Sequence, residues 1–524
     1  MSGRGGWGVT RLIGPSPLRG SNGVAFGPDG RLHVAEFLAG RISAVDLATG
    51  EVEVVVPEGG PVRSPDDLAF GADGSMYVTD LVPGLVWRRD PRGEFTRVSG
   101  EVAAPNGIAC VGDRLFVNEM KVDGRLLELF PGGGEPRVLA GGLAMGNAMQ
   151  LGPDGCLYYP HMLTGRVFRV PLDGGEPEPV AEEVHEPVAV RFDRAGVLVV
   201  LSRGAQGVVT RVDLFGAGAR TVVATGVAGL DNAAFDDENR MFVSSFACGG
   251  ILEAHPDGRT REVVPRGLVG PYGVAADPSG TVRVADHYSA VTPGADGVVA
   301  RDLLIFVHGI AAEGGLLHTT SQYGQVRTYD PATGTVRVRA SGLDRPTGIA
   351  VRGDGALVVA ETGAGRVLVV DREDVVTVLA DGLEHPVDVA LDDRGRCYAS
   401  DDRRGAVLRL DDGEAVPVAE GLAAPQGLVV RGDELVTVET GRRRLLAIDP
   451  ATGETRVEVE DLAVGPPPGV VRADPALFCH GMPGSPRRFA GLAVDPGGAL
   501  LLSADGEGSV LRLSEDRPAP ADAV

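Results

Sequence analysis

The sequence predicts an all-β fold, a β-propeller of four-stranded blades arranged as two tandem six-bladed rings. Three observations predict it. A similar stretch recurs about twelve times at a spacing of roughly 40 residues, the period of a propeller blade. Each copy breaks into short alternating segments bounded by Gly, Pro, Asn and Asp, with no long helical pattern between them. The outermost copies are incomplete: GVTRLIG (Gly8–Gly14) reads as a fourth strand with no blade before it, and Phe489–Glu515 supplies three strands and no fourth.

The first copy, Ser21–Val56, shows the pattern. A short apolar strand (GVAF) leads into the turn GPDG, whose residues accept or preset the turn dihedrals. An alternating second strand follows (RLHVAE), then a third after a glycine (GRISAVD) and a β-branched fourth (EVEVVV). The same order is legible from Pro65, Pro105, Gly146, Leu230, Pro271, Pro346, Pro386 and Pro425. Radial packing of such twisted sheets leaves few free edges, which is why the fold needs many copies.

The incomplete ends allow two closures. In a single twelve-bladed ring, Gly8–Gly14 would complete the last copy. In two rings, Gly8–Gly14 would complete the sixth copy, and TREVVP (Thr260–Pro265) would open the second ring and complete the twelfth. Propellers typically have 4–8 blades, so two rings are expected: residues 1–258, with a metal-binding channel, and 259–524. Two stretches read as irregular loops, 290–306 and the Pro-rich 465–488, and long irregular loops often carry function.

The chain has 524 residues, 43% of them hydrophobic, ample for more than one core. Its 77 glycines and 37 prolines fit a turn-rich all-β protein. A net charge of −23 argues against a nucleic-acid partner, which needs a basic surface. No signal-peptide-like or membrane-spanning apolar run is present, and the 5 scattered cysteines lack CxxC spacing. The expectation is a cytoplasmic protein with free thiols and no membrane partner. Amino-acid usage rich in Gly, Ala, Val, Arg and Asp, with few Lys, fits a GC-rich bacterial genome.

Residues opening the innermost strands of a propeller point to its axis. In the first half these are Asn22, Asp66/Asp67, Asn106, Asn147, Val188 and Asp231/Asn232. Amide and carboxylate oxygens are the ligands of a hard divalent cation, calcium by preference, with Mg2+, Mn2+ and Zn2+ as alternatives. Capping of the strands by Asn and Asp is the plainer alternative. The second-to-third-strand loops open on the same face. They offer Glu36, Asp80, Glu119 and His161 as acid/base candidates, or as ordinary solvated loop charge. The equivalent set in the second half is Tyr272, His308, Thr347, Asp388, Gln426 and Ala490, a poor calcium set. Its His287, His308 and His318, with Asp388, form a candidate substrate pocket, and His480 lies in the Pro-rich stretch. The alternative is a second ring that only supports the first.

The texture P-N-G-[IL]-A…PDG…L-[YFW]-[VF] resembles the senescence-marker-protein/gluconolactonase superfamily, with its paraoxonase-like and strictosidine-synthase-like propellers. NHL-type binding repeats share it. The resemblance implies a divalent metal held in the channel by one Glu, two Asn and an Asp. Asn106 and Asn147 are similar to the two asparagines, and Asp231-Asn232 to the acidic position. Asn22 stands where the glutamate would be, and Asp67 is placed to compensate. The implied activity is metal-dependent hydrolysis of a lactone or ester small molecule. A cyclase or lyase of small-molecule metabolism and a non-catalytic binding scaffold stay open.

Overall fold

A computed structural model of the chain describes residues 6–294, 299–411, 413–478 and 482–515. Within them the fold is an all-β propeller protein of two six-bladed rings: eleven four-stranded sheets, one three-stranded sheet and a minor two-stranded pair. The inner strands of the first ring are Ser21–Phe26, Pro65–Phe70, Pro105–Val111, Gln150–Leu151, Pro187–Phe192 and Leu230–Phe235, and the last packs back against the first. Those of the second ring are Pro271–Ala276, Ile310–Glu313, Pro346–Val351, Pro386–Leu391, Pro425–Arg431 and Leu492–Val494, closing in the same way.

The closure corrects the expected strand exchange. Trp7–Ile13 pairs with Ser509–Glu515 and completes the last blade of the second ring. Thr260–Val264 pairs with Ile251–Ala254 and completes the sixth blade. The first ring is therefore built from residues 21–264, and residues 7–13 belong to the second, in place of a boundary at 258. Packing gives the reason. Trp7 and Val9 sit in the cluster of Leu511, Leu513, Val438 and Val459, and Trp7 Nε1 donates to Glu458 Oε2 at 2.7 Å. Val264 sits with Leu18, Phe242 and Ile251. Two segments, 14–20 and 265–270, thus cross between the rings.

The core is divided into clusters, most of them filling the gap between neighbouring blades. Ile42 and Val56 of the first blade meet Leu68, Met76 and Val78 of the second. Each such buried aliphatic side chain contributes about 1.5–3 kcal/mol. At the axis the inner strands converge so closely that side chains are excluded at the third position of most copies. A Cβ on Gly107 would lie 2.3 Å from the Asn147 carbonyl oxygen, and one on Gly348 2.2 Å from Asp388 Oδ1.

Stretch 290–306, expected as an irregular loop, is instead most of a long hairpin. Val282–Pro293 pairs with Val299–Val307 from His287↔Val307 to Pro293↔Val299. It replaces the regular third and fourth strands of the seventh blade. Its base carries Tyr288, Leu303 and Phe306 onto Phe37, Leu38, Leu81 and Met120 of the first ring. Segment 465–488 is largely without regular structure apart from the short pair Leu477–Phe478 and Met482–Pro483. Cys479 and His480 lie outside the described residues. Glu58 of the first ring receives Arg472 Nη2 at 2.9 Å and the Arg488 guanidinium from this segment. No helix of the described residues is long and apolar enough to cross a membrane.

Candidate functional site

The first ring holds an oxygen-rich chamber at its axis. Its inner strands are irregular at their second and third residues: the register shifts between Ser21 and Val24, Pro65 and Leu68, Pro105 and Ile108, and Leu230 and Ala233. Such irregularities re-aim side chains. Here they turn the second residue of each strand to the axis. Asn22, Asp66, Asn106, Asn147 and Asp231, with Val188, line one cavity of about 100 Å3. Five of the residues singled out as an axial polar set are thus brought together.

The polar groups of the chamber are incompletely satisfied. Asn106 Nδ2 donates to Met120 Sδ at 3.1 Å, and Asn147 Nδ2 to Met162 Sδ at 3.2 Å. Asn147 Oδ1 accepts the Ala148 amide at 2.6 Å. The Oδ1 atoms of Asn22 and Asn106 are buried and have no hydrogen-bond partner among the described residues. Leaving such an atom unpaired costs about 1–3 kcal/mol. Burial, then the negative charges of Asp231 and Asp67, raises the Asp66 carboxyl well above the usual carboxylate range. Burial and Asp67 push Asp231 up to about 8, against the opposing pull of Arg191.

Asp67 and Asn232, expected as metal ligands with the others, occupy a deeper layer. Asn232 Nδ2 donates to Asp67 Oδ1 at 3.0 Å, and the Arg191 guanidinium donates to Asn232 Oδ1. Arg191 also donates to the carbonyls of Ala233 at 2.7 Å and Met149 at 2.9 Å. This layer already contains a cation, which offsets the burial that raises Asp67. Arg191 was not among the sequence candidates. Its signal was present: it stands in VAVRF at the place where neighbouring copies have Ala25, Ala69, Ala109 and Ala234. Those small residues leave the axial space that the guanidinium fills.

The walls come from the residue after each second strand: Phe37, Leu81, Met120, Met162, Arg203 and Phe246. Tyr288, Ile305 and Phe306 of the second ring cap them. Glu36, Asp80 and Glu119, expected as acid/base groups, stand one residue earlier and are committed elsewhere. Glu36 accepts Arg41 at 2.7 Å, Ser43 at 2.6 Å and the Arg19 amide at 2.7 Å. Asp80 accepts the Ser64 amide at 2.7 Å and its hydroxyl at 2.9 Å. Glu119 accepts the Arg125 guanidinium at 2.6 Å and the Ala103 amide at 3.1 Å. Glu361, Asp401 and Glu439 repeat this role in the second ring. These carboxylates staple the loop leading into their own blade, which corrects their assignment as acid/base groups. His161 packs 4.3 Å from Phe168 by ring centroids and does not line the chamber. Burial lowers it to about 4, so its ring is neutral.

The second ring does not gather its expected pocket. His308 lies between Tyr272 and Phe489, at centroid distances of 4.6 and 5.4 Å, and contacts Gln322 and the Arg487 carbonyl. Arg487, Arg488 and Phe489 plug this mouth and leave a cavity of about 20 Å3. His287 packs against Tyr288 at 4.5 Å, beside Tyr272 and Phe306. Burial lowers both His287 and His308 to about 3. His318 contacts Thr328 at 2.9 Å and Glu313 at 3.6 Å and lines neither cavity of this ring. Asp388 lies deeper, in a separate cavity of about 280 Å3, where it accepts the Val389 and Leu428 amides. That is the place of Asp67 in the first ring, which accepts the Leu68 and Ile108 amides. A contact missed by sequence reading, His385 Nδ1 to Asp402 Oδ1 at 2.5 Å, is closed off by Arg487 Nη1, 2.7 Å from His385 Nε2.

No group of three or more His, Cys, Asp or Glu side chains at metal-holding spacing occurs among the described residues. The oxygen set of the first ring, three asparagines and two aspartates, is of a different kind. No family model and no curated protein matches the chain. Solved structures do. A streptogramin B lyase is similar at 16% identity, over 53% of this chain and 94% of that one, with a TM-score of 0.40. A gluconolactonase from Xanthomonas campestris is similar at 17% identity, over 45% of this chain and 86% of that one, with a TM-score of 0.38. The extracellular domain of BT4673 from B. thetaiotaomicron is similar at 11% identity, over 98% of this chain and 84% of that one, with a TM-score of 0.33. At these identities and scores they assign no activity to this chain.

Proposed function

We propose that the first ring is a divalent-cation-dependent hydrolase centre for a lactone or ester small molecule, and that the second ring caps it. One observation carries the reading. The buried, unpartnered Oδ1 atoms of Asn22 and Asn106 line the same small chamber as the carboxyls of Asp66 and Asp231. Amide and carboxylate oxygens converging in a buried space suit calcium best among divalent ions. Asn22, Asp66, Asn106 and Asp231 would hold the ion, with Asn147 beside them.

A bound cation would supply polarisation of the scissile carbonyl and stabilisation of developing negative charge. The chain's own residues do the rest. Phe37, Leu81, Met120, Met162 and Phe246 take the apolar body of the substrate and exclude bulk water. Tyr288 and Phe306 close the chamber from above. Asp66 and Asp231 would meet the cation as carboxylates and balance its charge. The capped, apolar-walled chamber also favours a second reading, a lyase or cyclase from which water is excluded.

Two measurements test this. Metal content of the purified protein is expected to be one calcium-like ion per chain, lost in the Asn22→Ala, Asn106→Ala double variant. Absence of metal from the wild type removes the hydrolase reading. Reaction in 18O-water then separates the activities: hydrolysis labels the product and elimination or cyclisation does not.

A further inference from the structure

We infer that the ligand of the first-ring chamber carries a carboxylate on a short apolar body, and that Arg203 recognises it. This rests on the chamber being a ligand site but not on its metal. At the wall position that follows each second strand, five blades of the first ring place Phe37, Leu81, Met120, Met162 and Phe246. The fifth blade places Arg203 there, lining the same cavity. The residue is half-buried. Its backbone amide donates to the Glu186 carbonyl at 3.2 Å, which anchors the loop. Its guanidinium makes no hydrogen bond or ion pair among the described residues.

That combination is unlike the rest of the molecule near the axis. Arg191, one layer down, is fully engaged by carbonyls and Asn232. Arg19, Arg472 and Arg488 at the ring junction are paired with Glu58. A half-buried guanidinium without a partner forgoes pairing it could otherwise make. Nothing in the blade requires an arginine, since two other blades of the ring fill the position with Met and its two neighbours use Met162 and Phe246. A planar donor fork set in an apolar collar binds a carboxylate bidentately. The chamber is then polarised along its axis: Asp66 and Asp231 form the floor, and Arg203 stands in the wall that leads to it. A ligand with a carboxylate at one end and a neutral, oxygen-bearing group at the other fits that polarity. An organic ligand with a cationic group at the wall end would be repelled by Arg203, and one with a second carboxylate would meet the floor carboxyls. The cavity of about 100 Å3 limits the apolar part to a few carbons.

The test is equilibrium binding of butanoate and pentanoate against butanamide and pentanamide, with the full-length protein, after chelator treatment and after calcium loading. The wild type is expected to prefer the carboxylates at least tenfold in both metal states. Arg203→Met, which copies Met120 and Met162, is expected to keep its melting temperature and lose the preference. Arg203→Lys is expected to retain part of it. Equal binding of acid and amide by the wild type, no binding of either, or a preference that survives in Arg203→Met overturns the inference. A preference lost in Arg203→Met in a protein that holds no metal supports the inference while removing the hydrolase reading, so the two fail separately.

Discussion

Trp7 lies directly opposite Glu515 in the antiparallel pair that completes the last blade of the second ring. The strand that precedes the first ring in sequence therefore closes the second. The first ring is inserted between this strand and the blades it joins, tethered at both 14–20 and 265–270.

Removal of residues 1–13 is expected to unzip the second ring and spare the first. Hydrogen exchange read by mass spectrometry would show protection lost across Pro425–Glu515 and kept across Ser21–Val264. The point variant Trp7→Ala removes a buried indole that also stacks under Arg431 at 5.0 Å. Its expected cost is about 3–5 kcal/mol, read in chemical denaturation.

Glu119→Ala separates stapling from catalysis. The carboxylate holds the Arg125 guanidinium and the Ala103 amide, and its loss leaves that loop without an acceptor. Stability should fall by about 1–3 kcal/mol, and turnover per folded molecule should be unchanged. A loss of turnover at full stability would return Glu119 to the active site.

Arg191 and Asp67 should behave as one unit. Arg191→Met leaves the Asp67 carboxylate buried beside Asn232 without its cation, and Asp67→Asn leaves the cation without its acid. Each single variant is expected to destabilise, and the double variant by less than the sum. A double-mutant cycle in urea measures the coupling; strict additivity would contradict the axial ion layer.

Asp388 gives a pH dependence of known sign. Burial raises its carboxyl to about 7, above its unfolded value, so between about pH 4 and 7 the folded state binds more protons than the unfolded state. Its contribution to stability is complete below pH 4 and is lost as pH rises through 7. Melting temperature should therefore decline over that window, and Asp388→Asn should flatten the decline. Matching slopes in the two proteins would place the titration elsewhere.

Much of the site was legible in the sequence because the blade is a local unit. Asn22, Asp66, Asn106, Asn147 and Asp231 occupy one register of one repeated strand, so aligning the copies aligned the chamber. The same alignment misled where one register serves two purposes. Glu36, Asp80 and Glu119 recur beside the wall residues but turn to their own loops, and only their hydrogen bonds reveal it. Asp67 and Asn232 lie one residue beyond the chamber residues, and a shift of one along a strand moved them to a deeper layer. Asp388 was misplaced by the same single step.

By itself the sequence determined the fold class, the number of blades and the register that lines the axis, because hairpins and alternation are set by residues within a few positions of each other. Tertiary structure alone decided which ring takes the first strand, since GVTRLIG and TREVVP present the same alternation and are distinguished by their packing, Trp7 and Val9 among Leu511 and Leu513 and Val264 among Leu18 and Ile251. It also decided that Arg191 fills the axis, that the hairpin bearing Tyr288 and Phe306 caps the other ring, and that Arg487–Phe489 plugs the second mouth. Each of these depends on contacts between segments far apart in the chain, where local pattern carries no information about the partner.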